Sequence, residues 1–124
     1  MARLDERLLQ DLSERSHEQP VPGVDGVVRF DVKDGDRVDG WYLTITKGVV
    51  TVARKGGEPD CVLSGDCATF EAVLSGRANA MAALLRGAFA VQGKVILLTA
   101  LQRLFPGSPG ADGLPAAGYA ERQS

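Results

Sequence analysis

Histidine occurs once in this chain of 124 residues, cysteine twice and tryptophan once, and aromatic side chains make up 6% of it. One histidine and two cysteines cannot build a multi-ligand zinc site without borrowing carboxylates, and they leave few candidates for a Ser-His or Cys-His pair. Cys61 and Cys67 enclose Val62-Leu63-Ser64-Gly65-Asp66, which is neither the CxxC of a zinc knuckle nor that of a thioredoxin-like site. Two such thiols are expected reduced and buried as small hydrophobes. Long apolar runs are missing as well. Val95-Ile96-Leu97-Leu98 is interrupted by Thr99, far short of the ~18 residues of a membrane span. Met1-Ala2-Arg3-Leu4-Asp5-Glu6-Arg7 meets acids at once, unlike the basic start and apolar stretch of an export signal, so the expected location is the cytoplasm. Neither sign of charge dominates: 14 basic against 16 acidic residues give a net charge of −2, with both signs interspersed. That excludes the basic footprint of a nucleic-acid or anionic-membrane binder.

What the chain does have is patterned apolar content, 44% of all residues, enough for one domain with a real core. Leu4, Leu8 and Leu12 recur every four residues with Leu9 beside them, so residues 3–16 are predicted as an amphipathic helix. Gln19-Pro20-Val21-Pro22-Gly23 breaks it, and the period then changes from 3.6 to 2. In residues 27–32, Val28, Phe30 and Val32 share a face, and Asp34-Gly35 supplies the left-handed conformations of a tight hairpin. The strand over residues 38–46 puts Trp41, Leu43 and Ile45 on one side and Tyr42, Thr44 and Thr46 on the other. Lys47-Gly48 turns into residues 49–53, the loop at residues 55–59 turns again, and Cys61-Val62-Leu63 is predicted as the last strand of a meander.

Helical period returns after that. Asp66 is placed to cap a helix with Cys67, Phe70, Val73 and Leu74 on one face, ended by Ser75-Gly76. Asn79 is placed to cap a second, with Met81, Leu84 and Leu85 on one face, stopped at Gly87. Phe89 and Val91 alternate in a brief strand closed by Gly93. Residues 94–105 then form a third helix presenting Leu97, Leu98, Leu101, Leu104 and Phe105. The Pro/Gly-rich residues 106–124 are too poor in apolar side chains to order themselves without docking. Strands and helices segregate by type, the pattern of a two-layer α+β domain with helices stacked on one face of a sheet.

Motifs for chemistry are scarce. Gly87 to Lys94 is one residue too long for a phosphate loop, and Val95 stands where Ser or Thr would hold magnesium. No GxSxG elbow exists. His17 follows a charged helix with no fixed acidic partner and is expected as a solvated side chain. Asp31, Asp34, Asp36 and Asp39 lack the spacing of a calcium loop and are explained by turn chemistry. A lone carboxylate such as Asp39 or Glu71 has no second polar group placed to assist catalysis. The apolar faces of helices and sheet must meet, either as a packed core or around a tunnel for an apolar ligand, and periodicity alone does not decide between the two.

The order Asp60-Cys61-Val62-Leu63-Ser64-Gly65-Asp66, Phe70-Glu71-Ala72-Val73-Leu74-Ser75-Gly76, residues 79–87, Val91-Gln92-Gly93 and Leu101-Gln102-Arg103-Leu104-Phe105, with Trp41-Tyr42-Leu43-Thr44-Ile45 upstream, resembles the sterol carrier protein type 2 family. The resemblance covers residues 24–105. It implies an α+β fold with a five-stranded mixed sheet, helices over one face, and a hydrophobic tunnel between the layers. The N-terminal helix would occupy residues 1–18, the lipid-binding domain residues 24–105, and the tail residues 106–124. Carried over by position, it implies a cavity lined from the helices by Phe70, Leu74, Met81, Leu84, Leu85, Leu98, Leu101 and Phe105. Trp41, Leu43, Ile45, Val50, Val52, Phe89 and Val91 would line it from the sheet.

The implied function is non-catalytic binding and transfer of long-chain acyl, acyl-CoA or sterol-like lipid. No cofactor, metal or catalytic residue is implied, and no nucleic acid. The alternative is an accessory domain that docks on a lipid-metabolising enzyme and presents its substrate. The expected partners are a lipid ligand and a transient membrane or enzyme contact, with the protein a monomer or weak dimer. Family members bound for peroxisomes end in a tripeptide such as Ser-Lys-Leu, whereas this sequence ends Glu121-Arg122-Gln123-Ser124. The expectation is therefore a cytoplasmic protein, with acyl chains ahead of sterols as ligands.

Overall fold

Alternation over nine residues of Gly26–Asp34 (β1) and ten of Arg37–Thr46 (β2) builds the longest strand pair, joined through Gly35-Asp36 so that Asp34 faces Arg37. Only Gly35 in this turn is left-handed, at φ 64; Asp34 stays in the strand. A second two-residue turn, Lys47-Gly48, leads to Val49–Ala53 (β3). Both of its residues have positive φ, 52 and 85, which matches the right-handed twist of an antiparallel pair. The Lys47 amide is tied by a 3.1 Å bond to the Asp25 carboxylate. The structure, a computed structural model, describes residues 4–21 and 23–105; the expected tail, residues 106–124, lies outside them.

The remaining elements are a helix at Glu6–Glu18 (α1), strand Cys61–Asp66 (β4), helices Cys67–Leu74 (α2) and Ala80–Leu85 (α3), strand Phe89–Gly93 (β5) and helix Val95–Leu101 (α4), continued as a 3-10 turn at Gln102–Leu104. The five-stranded sheet has the order β3-β2-β1-β4-β5. It is mixed, because β4 runs parallel to β1 while the other pairs are antiparallel.

This corrects the meander expected from the sequence. β4 does not follow β3 in the sheet; it pairs with β1 on the far side. The connection at residues 54–60 has to pass three strand spacings, roughly 14 Å at about 4.8 Å each, which seven extended residues span with length to spare. Gly56 in that connection lies against Tyr42, whose ring would be 2.6 Å from any Cβ placed there. Hydrophobic period carries no information on which neighbour a strand chooses.

Register converts sequence parity into one continuous apolar face. Cross-strand partners fall in rows: Val52-Leu43-Val28-Cys61 in one and Trp41-Phe30-Leu63-Val91 in the next. The helices cover this face, α1 over β3, α2 and α4 over β1 and β4, with α3 beside β5. α1 contributes fully buried Leu9 and Leu12 to the same core, so it shares the interior of the unit expected to begin at residue 24. No helix among the described residues is long and apolar enough to cross a membrane.

The edge strand β3 is closed by α1 through serines. Ser16, buried completely, accepts the Val50 amide at 2.8 Å and donates to the Ser13 carbonyl at 2.5 Å, while Ser13 donates to the Val50 carbonyl at 2.6 Å. Both edge-facing backbone groups of Val50 are thereby satisfied, and the edge no longer offers them to another strand. Ser16→Ala should destabilise the fold by about 1–3 kcal/mol because it orphans a buried amide, and Ser13→Ala by only about 0.5–1.5 kcal/mol. Urea unfolding measures both. Equal and negligible losses would show that the serines do not seal this edge.

Candidate ligand site between sheet and helices

The interior begins with the sheet face. Trp41, Leu43 and Ile45 on β2, Val50 on β3 and Phe89 on β5 are buried, while Val52 and Val91, toward the sheet's two edges, are half-buried. The central strand β1 adds Val28, Phe30 and Val32, all buried, and β4 adds Leu63. Those four were not among the residues assigned to the site from sequence. The parity of Val28, Phe30 and Val32 was readable, but their central position depends on the crossover that period does not reveal.

From the helix side come Phe70 and Leu74 on α2, Leu98 and Leu101 on α4, and Phe105 just beyond it, all buried. The Phe70 ring sits between Phe30 and Phe89, with centroid separations of 5.0 and 4.9 Å, so an aromatic chain links sheet to helix across the layer gap. Leu97 and Leu104 are buried with them. The last helix is shorter than expected, since the regular α-turns end at Leu101 and tighten into the 3-10 turn.

The second short helix departs from expectation. Its cap is as predicted, Asn79 Oδ1 accepting the Ala82 amide at 3.0 Å, but the residue it buries is Ala83. Met81 and Leu84 are half-buried, and Leu85, expected to line the interior, is 80% exposed. Packing through a small residue lets α3 approach closely with only six residues, and that rotation carries Leu85 outward. At Asp66, the expected cap of α2, the backbone is in the capping position while the side chain makes no capping bond. His17 is exposed, its Nδ1 3.0 Å from the Ser13 carbonyl oxygen.

Both cysteines are free thiols and both are buried. Burial pushes the Cys61 thiol up from its ordinary pKa. Burial also raises Cys67, and the negative charges of Glu71, Asp34 and Asp39 add to the effect. Neither is poised as a nucleophile, because the thiolate is the form their surroundings disfavour.

Glycine decides the junction of β4 and β5. Gly93 has φ 94 and a Cβ there would collide with the Asp60 carbonyl. Asp60 in turn bonds β1 in both directions, its carboxylate accepting the Val27 amide at 2.9 Å and its amide donating to the Val27 carbonyl at 2.8 Å. Its carbonyl accepts the Lys94 amide at 2.9 Å, which fixes where α4 starts across the sheet.

The family model of the SCP-2 sterol transfer family matches residues 6–106. The chain belongs to that family. No curated protein sequence matches it, but solved structures do. The sterol carrier protein domain 2 of Helicoverpa armigera is 23% identical with a TM-score of 0.68, over 82% of this chain and 87% of that one. The sterol carrier protein 2 of Aedes aegypti, in complex with the fatty acid palmitate, is 17% identical with a TM-score of 0.67, over 86% and 98%. The UbiJ-SCP2 ubiquinone synthesis protein is 21% identical with a TM-score of 0.55, over 77% and 76%. At these identities the likeness establishes the SCP2 fold, a five-stranded mixed sheet under helices.

Two measurements check the placement of these side chains. Phe70→Ala should lower stability by about 3–5 kcal/mol, whereas Leu85→Ala should stay within about 0.5 kcal/mol. A large loss at Leu85 would return it to the interior. The thiols give a pH test. A folded-state pKa above the unfolded one means that stability is fully present below the unfolded thiol pKa and falls as pH rises through and beyond it. The urea midpoint should therefore decline in alkaline solution, and Cys67→Ala should flatten that decline. An unchanged slope in the variant would show that Cys67 is not held protonated by the fold.

Proposed function

We propose that this protein binds and carries lipid without catalysis, holding a long-chain acyl or sterol-like ligand between its sheet and its helices, and that it does so in the cytoplasm. The observation that carries the reading is the SCP-2 family match over residues 6–106. It is supported by the apolar interface of the two layers, where Trp41, Leu43, Phe70, Leu98 and Leu101 converge. The palmitate complex of the Aedes aegypti protein supports an acyl chain as the ligand. Affinity would come from burial of methylenes at about 0.8 kcal/mol each, which is non-directional and tolerant of chain identity. The binding unit on this reading includes α1 and runs through residue 105, with Met81, Leu84, Val52 and Val91 at its margins.

A second reading, an accessory domain that presents lipid to an enzyme, is favoured by the likeness to the UbiJ-SCP2 ubiquinone synthesis protein. Native mass spectrometry of freshly purified protein separates the two: co-purifying lipid supports the carrier, and a specific protein partner supports the accessory domain.

The carrier is tested by displacing a fluorescent acyl probe with unlabelled fatty acid at micromolar protein, where saturable competition is expected. Leu101, fully buried at the centre of the α4 face, supplies the structural arm. Leu101→Trp should weaken probe binding severalfold while holding the urea midpoint of ligand-free protein, because the added ring occupies ligand space. A destabilisation of about 1–3 kcal/mol, the usual result of overpacking, with unchanged affinity would place Leu101 in ordinary core.

A further inference from the structure

The sheet has two outer edges, and the fold seals only one of them. Ser13 and Ser16 bond the β3 edge at Val50; β5 stands at the other end of the strand order. Cross-strand bonding fixes which groups of β5 point outward. The Lys94 amide donates to the Asp60 carbonyl, so by alternation Gln92 and Ala90 exchange bonds with their partners Val62 and Ser64. Val91 and Gly93 therefore turn their N–H and C=O groups away from β4. Among the described residues nothing is bonded to these groups. Phe89 has the same parity but is buried, whereas Gly93 is exposed and Val91 half-buried, so the open stretch begins at Val91. The usual guards against another strand are missing: β5 has no proline and no charged residue, and its exposed side chains are Ala90 and Gln92.

Apolar and basic side chains flank this edge in the chain. Leu85 before β5 and Val95 and Ile96 after it are exposed. Arg86 and Lys94 bracket the strand in the same way, and neither is ion-paired among the described residues. From Ala72 to Phe105 there are four basic residues and no acidic one, a local excess that the net charge of −2 on the whole chain conceals. The neighbouring strand offers acids only at its ends: Asp60, whose carboxylate is taken by the Val27 amide, and Asp66. We propose that the β5 edge receives an extended acidic segment of another protein, which adds to the sheet as a further strand. Backbone bonds to Val91 and Gly93 hold the segment in register, and carboxylates toward its two ends pair with Arg86 and Lys94. A second copy of this chain fits less well. Antiparallel pairing of β5 with itself brings the Arg86 end of one copy to the Lys94 end of the other, which sets like charges together. The edge lies outside the interior between sheet and helices, so the inference goes beyond the lipid-binding reading and does not depend on it.

The test uses the full-length chain and three labelled peptides: a Val-Thr-Val-Thr-Val run with a pair of glutamates at each end, the same run with lysines at its ends, and the glutamate peptide with every amide of the run N-methylated. The glutamate peptide should bind saturably and slow hydrogen exchange at the Val91 and Gly93 amides, while Ala90 and Gln92, already bonded to β4, change little. N-methylation removes the donors of the added strand and should weaken binding roughly tenfold. The lysine peptide should bind severalfold more weakly than the glutamate peptide. In the double variant Arg86→Glu, Lys94→Glu, at two exposed positions, that order should reverse. Failure of the glutamate peptide to bind, equal binding of the lysine peptide, or binding that leaves exchange at Val91 and Gly93 unchanged would overturn the proposal. Slow exchange at these two amides before any peptide is added would overturn it as well. Sedimentation then names the occupant: a dimer gives the edge to a second copy, and a monomer gives it to residues 106–124 of the same chain.

Discussion

Keeping water off one face of a sheet is the requirement that every helix here serves. Parity puts Val28, Phe30, Val32, Trp41, Leu43, Ile45, Val50 and Leu63 on that face, and no strand of the sheet can cover them, because each strand is already spent in the hydrogen-bond ladder. Helices must do it, and short ones suffice when several share the work: α2, α3 and α4 have eight, six and seven residues. None is long enough to be stable alone. Each is held by the apolar area it buries, and the positions at which they meet the sheet are set by glycine and capping geometry at Gly93 and Asn79.

The same arrangement keeps directional and non-directional interactions apart. Burial energy is non-directional, so the contacts between the two layers do not distinguish strongly between a side chain and an acyl chain as the apolar filler. Hydrogen bonds, which do discriminate, are concentrated elsewhere: in the ladder, at the Ser13-Ser16-Val50 edge and at the Asp60 junction with β1 and Lys94. The frame is fixed by directional bonds while the space between the layers is governed by area. Directional bonds and apolar area thus occupy different parts of the fold.

Parity also accounts for the meeting of Asp39 and Arg54 at one end of the apolar face. Asp39 and Arg54 come from different strands' ends and are brought together because β2 and β3 are neighbours, with Leu43 opposite Val52. Two residues before Leu43 stands Trp41 and four before it Asp39, while two residues after Val52 stands Arg54. The pair offsets the cost of the partly buried carboxylate, and the ring of Trp41 gives the guanidinium a second partner.

The sequence by itself determined most of what depends on local period and local conformation, the exceptions being Asp66, which makes no capping bond, and Asp34, which stays in the strand. Strand alternation identified Trp41, Leu43 and Ile45 as one face, Lys47-Gly48 and Asn79 announced a turn and a cap, and the helical stripes of residues 67–74 and 94–105 named their buried leucines and phenylalanines. The order of glycine-bounded pieces was enough to suggest the family. What it left open was decided by contacts between segments distant in the chain. Whether β4 sits beside β3 or beside β1 is a choice between partners with the same period, settled by the reach of residues 54–60 and by the Asp60–Val27 bonds. The face that α3 presents was misread because a stripe of Met81, Leu84 and Leu85 looks more apolar than Ala83, yet close approach selects the small residue and turns Leu85 to solvent. The roles of Ser13 and Ser16 and the meeting of Arg54 with Trp41 and Asp39 were invisible for the same reason: polar side chains acquire a meaning only when the fold supplies their partners.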